Sequence, residues 1–91
     1  MSARIKDEDA STIRLKVLYF AYIREIAGVT RESIFLTNNS TLGELMRKIQ
    51  TIHPRLKEFN FKVAVNKSVA GMRLHLKDGD EIALIPPVTG G

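Results

Sequence analysis

The chain has 91 residues, 44% of them hydrophobic and 26% charged, with a formal net charge of +4. This length supports one domain with a single modest core, and the absence of cysteine excludes disulfides, thiolate metal sites and a cysteine nucleophile. The basic residues are scattered among acidic ones and no apolar run approaches the ~20 residues of a membrane span, so we expect a cytoplasmic protein without a nucleic-acid or membrane partner.

The first part of the chain predicts a strand, a short helix and a second strand. Residues 1–12 are polar and charged, and we expect them to form a mobile extension. Strict alternation then predicts a half-buried strand, whose inward residues are Ile13, Leu15, Val17 and Tyr19. The period changes over residues 21–27 to that of a short helix, which Gly28 is well placed to end. Residues 32–36 predict the second strand.

The strongest helix signal begins at Thr41. Thr41 and Glu44 have the spacing of a capping box, in which each side chain satisfies a backbone donor of the other residue. Apolar residues then recur at helical spacing, at Leu42, Leu45, Met46 and Ile49. The dipeptide His53-Pro54 ends the helix, because the residue before a proline avoids the α region.

The remaining segments predict strands and complete the fold. Residues 61–66 and 81–85 alternate as strands, and residues 68–70 predict a short partner for the former. The order of elements predicts an α+β fold in which a mixed sheet carries its helices on one face. We expect one domain over residues 13–86, with its first and last strands side by side in mid-sheet. Residues 87–91 are expected to form a flexible tail.

An apolar set on the outer face of the sheet predicts a binding surface. Outward positions of a sheet covered on one side are normally polar. Four such positions are instead apolar, namely Leu18, Phe20, Ala64 and Ile85. Because exposed apolar patches usually mark protein-binding surfaces, we predict a partner-binding patch beside the base of the tail. The alternative is that a loop or the N-terminal segment covers these residues.

No side chain supplies an evident catalytic or metal site. His53 and His75 stand alone and lack the spacing of metal ligands, so we predict no metal. Asp78 and Asp80 flank a glycine and are typical of a turn. The sequence contains no phosphate-binding glycine loop and no Ser/His/Asp set.

The C-terminal carboxylate of Gly91 remains as the candidate reactive group. The chain ends in Pro-Pro-Val-Thr-Gly-Gly, and two glycines without Cβ atoms make a tail thin enough to enter a narrow slot in another protein. A free carboxylate repels nucleophiles, but adenylation by a partner enzyme would make it an acyl electrophile. Attack by sulfur would then give a thiocarboxylate, and attack by a lysine would give an isopeptide bond.

Four segments resemble the MoaD/ThiS family of ubiquitin-like sulfur carriers. They are KVLYFAYIRE at residues 16–25, VAVN at 63–66, DGDEI at 78–82 and PPVTGG at 86–91. A terminal Gly-Gly is shared by ubiquitin-like carriers in general, whereas the proline-containing tail after Asp-Gly-Asp-Glu is typical of the molybdopterin branch. Ile85 departs from the phenylalanine common there, but both are large and apolar. The resemblance covers residues 14–91.

The resemblance implies a β-grasp fold and the role of sulfur donor in molybdopterin synthase. An adenylyltransferase that resembles ubiquitin-activating enzymes would use ATP to activate Gly91, and a sulfurtransferase would supply sulfur, without any cofactor bound to this chain. The tail would insert into the large synthase subunit, in a heterotetramer, through Pro86, Pro87, Val88, Thr89 and Gly90. It would deliver sulfur to cyclic pyranopterin monophosphate, so the chain would be active only with its partner. The alternative is a related carrier or modifier that serves tRNA thiolation, thiamin synthesis or conjugation to lysines.

Overall fold

The structure, a computed structural model, describes residues 11–87, which form two α-helices, a 3₁₀ helix and five strands. In chain order these are β1 (Thr12–Tyr19), α1 (Ala21–Ala27), β2 (Arg31–Thr37), α2 (Leu42–Ile52), the 3₁₀ helix (Pro54–Glu58), β3 (Lys62–Val65), β4 (Ser68–Val69) and β5 (Glu81–Ile85). The expected extension up to residue 10 and the tail residues Val88, Thr89, Gly90 and Gly91 lie outside the described residues. Strand β1 begins one residue before the predicted start of the domain.

The five strands form one mixed sheet in the order β2-β1-β5-β3-β4. Strands β1 and β5 run parallel, with Tyr19 beside Leu84, whereas the other neighbouring pairs are antiparallel. The backbone N–H of Phe20 donates to the carbonyl of Leu84 at 3.2 Å and extends this pairing beyond β1. The predicted placement of the first and last strands is therefore confirmed, and β5 is held from both sides.

The core lies between the sheet and the helices, as the alternation predicts. Its residues from β1 and α2 are those named from the sequence, namely Ile13, Leu15, Val17, Tyr19, Leu42, Leu45, Met46 and Ile49. Val63, Val65, Ile82 and Leu84 complete the inward rows of β3 and β5. This arrangement is the β-grasp fold that the resemblance implies. Neither helix within residues 11–87 has the length and apolar character needed to cross a membrane.

Local signals set the bounds of both helices. Thr41 Oγ1 accepts a hydrogen bond from the N–H of Glu44 at 3.2 Å, and the Glu44 carboxylate accepts one from the N–H of Thr41 at 2.8 Å. The hydrogen bonds that the Glu44 carboxylate accepts from the N–H and the hydroxyl of Thr41 hold the pKa of Glu44 below its usual range. Helix α1 ends at Gly28, whose φ of 81° lies in the left-handed region that favours glycine. The predicted capping box and helix end are thus confirmed.

Two segments of the core have no counterpart in the sequence-based prediction. The 3₁₀ helix buries Leu56, and the irregular segment 71–76 buries Leu76. Segment 71–76 also caps α2. In the first turn of α2, the N–H of Leu42 donates to the carbonyl of Leu74 at 2.8 Å, and the N–H of Gly43 donates to that of Met72 at 2.9 Å. Donors that a helix start leaves without intrahelical partners are satisfied in this way.

Candidate functional site

The C-terminal tail leaves the fold from the middle strand of the sheet. Strand β5 ends at Ile85, which is paired with Lys62 of β3, and the half-buried Pro86 and Pro87 follow. Proline fixes φ and lacks an N–H, so the two prolines end the strand pairing and stiffen the exit. The structure therefore defines where the predicted reactive segment begins.

A row of small and apolar residues crosses the sheet face that is turned away from the helices. The register pairs Leu18 with Ala83, Ala83 with Ala64, and Ala64 with Val69. Directly paired residues of neighbouring strands point to the same side of a sheet. The row therefore spans three strand spacings, or about 14 Å, on the outer face.

Two larger apolar side chains lie between this row and the tail. Phe20 is 44% exposed and Ile85 is 39% exposed. Each lies two residues further along its chain than the row, and the bond between Phe20 N and Leu84 O keeps the two segments together. Leu18, which is half-buried, lies beside them. Three of the four predicted patch residues are thus gathered at the base of the tail.

The fourth predicted residue, Ala64, is placed on the expected face but is only 5% exposed. Its methyl group lies between the paired Ala83 and Val69 and is shielded by its neighbours. The prediction of an accessible side chain at this position is therefore wrong. The adjacent Val69 is 74% exposed and supplies the apolar surface instead. The outer apolar patch is hereafter defined by Leu18, Phe20, Val69 and Ile85.

Val69 could have been found from the sequence. The residues around it predict a short strand antiparallel to β3, and a tight turn at Asn66 and Lys67 fixes which residues face each other. Both turn residues have positive φ in the structure, at 49° and 75°. This turn sets Val69 opposite Ala64, on the outer face.

The other polar residues singled out in the sequence lie away from the tail and serve the fold. Asp78 accepts a hydrogen bond from the N–H of Arg14 at 2.7 Å, and Asp80 accepts one from the N–H of Lys77 at 2.8 Å, as expected for turn residues. The exposed His75 contacts the carbonyl of Asn39 through Nδ1 at 2.9 Å. Within residues 11–87 there is no group of three or more His, Asp or Glu residues that could hold a metal ion.

His53 is less exposed than expected for an isolated histidine at a helix end, since its side chain is 13% exposed. Its Nε2 lies 2.6 Å from Glu32 Oε2, and its ring packs edge-on against Tyr19 with 5.5 Å between ring centroids. The hydroxyl of Tyr19 donates to the same Glu32 oxygen at 2.5 Å. Burial raises the pKa of Tyr19 well above its usual range, and the hydrogen bond to the negatively charged Glu32 raises it further. The trio fastens the edge strand β2 to the end of α2.

Replacement of Tyr19 by phenylalanine tests this network. The variant loses one donor to Glu32, and we expect it to cost about 1–2 kcal/mol of unfolding free energy. Above a pH of about 10 the unfolded state ionises Tyr19 while the folded state keeps its proton, so the wild-type unfolding free energy falls as pH rises. That fall is expected to be smaller in Tyr19→Phe, as measured by urea unfolding across this pH range.

The exposed Tyr22 provides the control for this measurement. Its hydroxyl donates to the carbonyl of Asn60, on the surface of the protein. Tyr22→Phe should keep the alkaline loss of stability seen in the wild type. Equal pH dependence in the wild type and Tyr19→Phe would contradict the role assigned to Tyr19.

Comparison with known proteins places this geometry in a family. The ThiS family model matches residues 17–91. The molybdopterin synthase sulfur carrier subunit of Mycobacterium tuberculosis is 39% identical over 82 residues, which cover 87% of this chain and 99% of that protein.

Solved structures agree with this relationship. A Pyrococcus furiosus chain described as subunit 1 of a molybdopterin converting factor is 34% identical, with a TM-score of 0.79, over 84% of this chain and 99% of its own. A chain of the Helicobacter pylori complex of subunits 1 and 2 of the molybdopterin-converting factor is 35% identical, with a TM-score of 0.60, over 87% of this chain and 100% of its own. The fold, the family match and the sequence identities therefore lead to one conclusion: this chain belongs to the ThiS family.

Proposed function

We propose that this chain is the sulfur-carrier subunit of molybdopterin synthase. The observation that carries the proposal is the family match, which extends over residues 17–91 and so includes the tail. The relative from M. tuberculosis, which carries this name, aligns over 99% of its length. The outer apolar patch at the base of the tail offers the docking surface that such a carrier needs.

The reactive group in this proposal is the carboxylate of Gly91. A carboxylate oxygen attacks the α-phosphorus of ATP in a partner adenylyltransferase and expels pyrophosphate, which gives an acyl adenylate. Sulfide sulfur delivered by a sulfurtransferase then attacks the carbonyl carbon and expels AMP, which leaves a thiocarboxylate. The thiocarboxylate sulfur forms a C–S bond to cyclic pyranopterin monophosphate in place of a C–O bond of that substrate. Water then hydrolyses the resulting thioester, which leaves the sulfur on the pterin and restores the carboxylate. Because ATP drives the first step, we place the protein in the cytoplasm.

The fold serves this chemistry by positioning the tail. Strand β5 is paired with β1 as far as Leu84 and with β3 as far as Ile85, so the tail starts from a rigid base. Pro86 and Pro87 restrict the conformations of the exit and reduce the entropy lost on insertion into a partner. No side chain of this protein needs to act as an acid, a base or a nucleophile. The activity therefore requires the large subunit, and we propose that two copies of each form a heterotetramer.

The partner follows from the H. pylori complex, in which the similar chain is assembled with subunit 2 of the molybdopterin-converting factor. We propose that the large subunit of this organism covers the outer apolar patch and receives the tail. An apolar patch whose larger side chains, Phe20 and Ile85, lie beside the tail exit suits a partner that must bind the globular domain and the tail together.

Coexpression with the large subunit, the adenylyltransferase and the sulfurtransferase tests the proposal. We expect the chain to copurify with the large subunit, and intact-mass spectrometry to find a fraction in which one terminal oxygen is replaced by sulfur. Addition of cyclic pyranopterin monophosphate should consume that fraction. Adducts between Gly91 and lysines of other proteins, without binding to the large subunit, would overturn the proposal in favour of a protein modifier.

A further inference from the structure

The outer face of the sheet has a second half that differs in character from the outer apolar patch. Arg14, Lys16 and Arg31 line one shallow cleft on the β1–β2 side, with Leu18 and Ser33. The register sets Lys16 opposite Ser33, and Leu18 opposite Arg31. The three cations therefore form a continuous cationic strip that meets the outer apolar patch at Leu18.

The charges of this strip are not neutralised by ion pairs within residues 11–87. The close contact found there between a basic and an acidic side chain joins His53 to Glu32. Glu32 also borders the cleft, but its Oε2 is already engaged by His53 and by the hydroxyl of Tyr19. Glu81 lies beside Lys16 in the register and Asp78 lies beside the backbone of Arg14, so the strip sets three cations against these two carboxylates.

The strip also contains an oriented guanidinium and an exposed aromatic ring, which can make specific contacts. Arg14 Nε donates to Ser33 Oγ at 3.2 Å, which orients the guanidinium and leaves its remaining N–H groups available for an acceptor. Phe35 pairs with Arg14 on the same face and is 52% exposed. Arginine and aromatic residues, phenylalanine included, are both enriched at protein interfaces.

We propose that the cationic strip docks an acidic surface of the large subunit while the outer apolar patch and the tail engage the same partner. The inference rests on the proposed function and adds a charge requirement for the partner. A protein is favoured as the occupant because the strip continues directly into the outer apolar patch. Complementary charges at the rim of an interface mainly steer encounter and fix the register of docking.

The chain itself contains a competing occupant. Asp7, Glu8 and Asp9 precede β1 by a few residues in the sequence and carry the charge opposite to that of Arg14 and Lys16. The experiment must therefore separate a partner's acidic surface from this acidic segment.

The test measures association of the full-length chain with the large subunit by stopped-flow fluorescence at low and high salt. In Arg14→Glu/Arg31→Glu we expect association to slow by about 10- to 100-fold at low salt, with a much smaller change in dissociation. The deficit should shrink at high salt because screening weakens exposed charges. The matched control, Arg47→Glu/Lys57→Glu, reverses two exposed charges on the helical side and should change association by less than about threefold.

Each of four other results would contradict a specific claim made above. If both double variants slow association equally, net charge alone acts and the inference is wrong. If the deficit disappears in the Asp7→Asn/Glu8→Gln/Asp9→Asn background, the acidic segment occupies the strip instead. If the strip variant binds the large subunit normally but loses retention of a labelled tRNA, the strip belongs to nucleic acid. Failure of the wild type to bind the large subunit would refute the proposed function itself.

Discussion

Deletion of Gly91 is expected to abolish sulfur donation to cyclic pyranopterin monophosphate and to leave the unfolding transition of the protein unchanged. The deletion removes the carboxylate from the position that the activating enzyme and the large subunit must reach, and the new terminus lies about 3.5 Å short of it. The buried core within the described residues runs from Ile13 to Leu84 and does not depend on the tail. Synthase assays with the large subunit and urea unfolding measure the two effects.

A variant with one added glycine after Gly91 is the matched comparison. It keeps a glycine terminus and the flexible chemistry of the tail but displaces the carboxylate by one residue. We expect it to fail as a sulfur donor as well, because the reaction depends on the position of the carboxylate within the partner. Pterin sulfuration by the shortened chain at the wild-type rate would refute the assignment of Gly91.

Replacement of Ile85 by glutamate is expected to weaken binding to the large subunit by about 100-fold or more. The side chain is 39% exposed beside the tail, so a partner that covers it must bury the new charge. Stability should change little, because Ile85 pairs directly with Lys62 and a carboxylate at this position faces an opposite charge. Titration calorimetry and thermal unfolding of the isolated chain separate the two quantities.

Replacement of Ile52 by glutamate, on the opposite side of the molecule, is the matched control for Ile85→Glu. Ile52 lies at the end of α2 and is 44% exposed, close to the value for Ile85. Ile52→Glu should bind the large subunit with nearly wild-type affinity. Similar losses in both variants, or no loss in Ile85→Glu, would remove the outer apolar patch from the account of docking.

The fold was largely predictable because its main elements carry local signals. The alternation in β1 and β5, the capping box at Thr41 and the stop at Gly28 each depend on residues close together in sequence. The 3₁₀ helix and segment 71–76 carry no such signal. Leu76 is buried through a long-range contact in which its N–H donates to the carbonyl of Ser40 at 2.8 Å.

The sequence predicted the sheet face on which each residue of the candidate site lies better than it predicted how exposed each side chain is. Alternation gives the face on which a side chain lies, and it placed Ala64 on the outer face. It does not give the size of the neighbours that shield a methyl group, which is why Val69 rather than Ala64 is accessible. The cationic strip is similar, since Arg31 joins Arg14 and Lys16 only through the strand register. The environment of His53 likewise depends on Glu32, which is 21 residues away.

The parallel pairing of β1 and β5 has a mechanical consequence for a protein that works by its tail. A pull on the tail, as when the carrier is withdrawn from a partner's slot, acts along β5. Hydrogen bonds to β1 on one side and to β3 on the other then resist the force together in shear, whereas a tail attached to an edge strand would be peeled away bond by bond. Cycles of insertion and release can therefore load the tail while the domain stays folded.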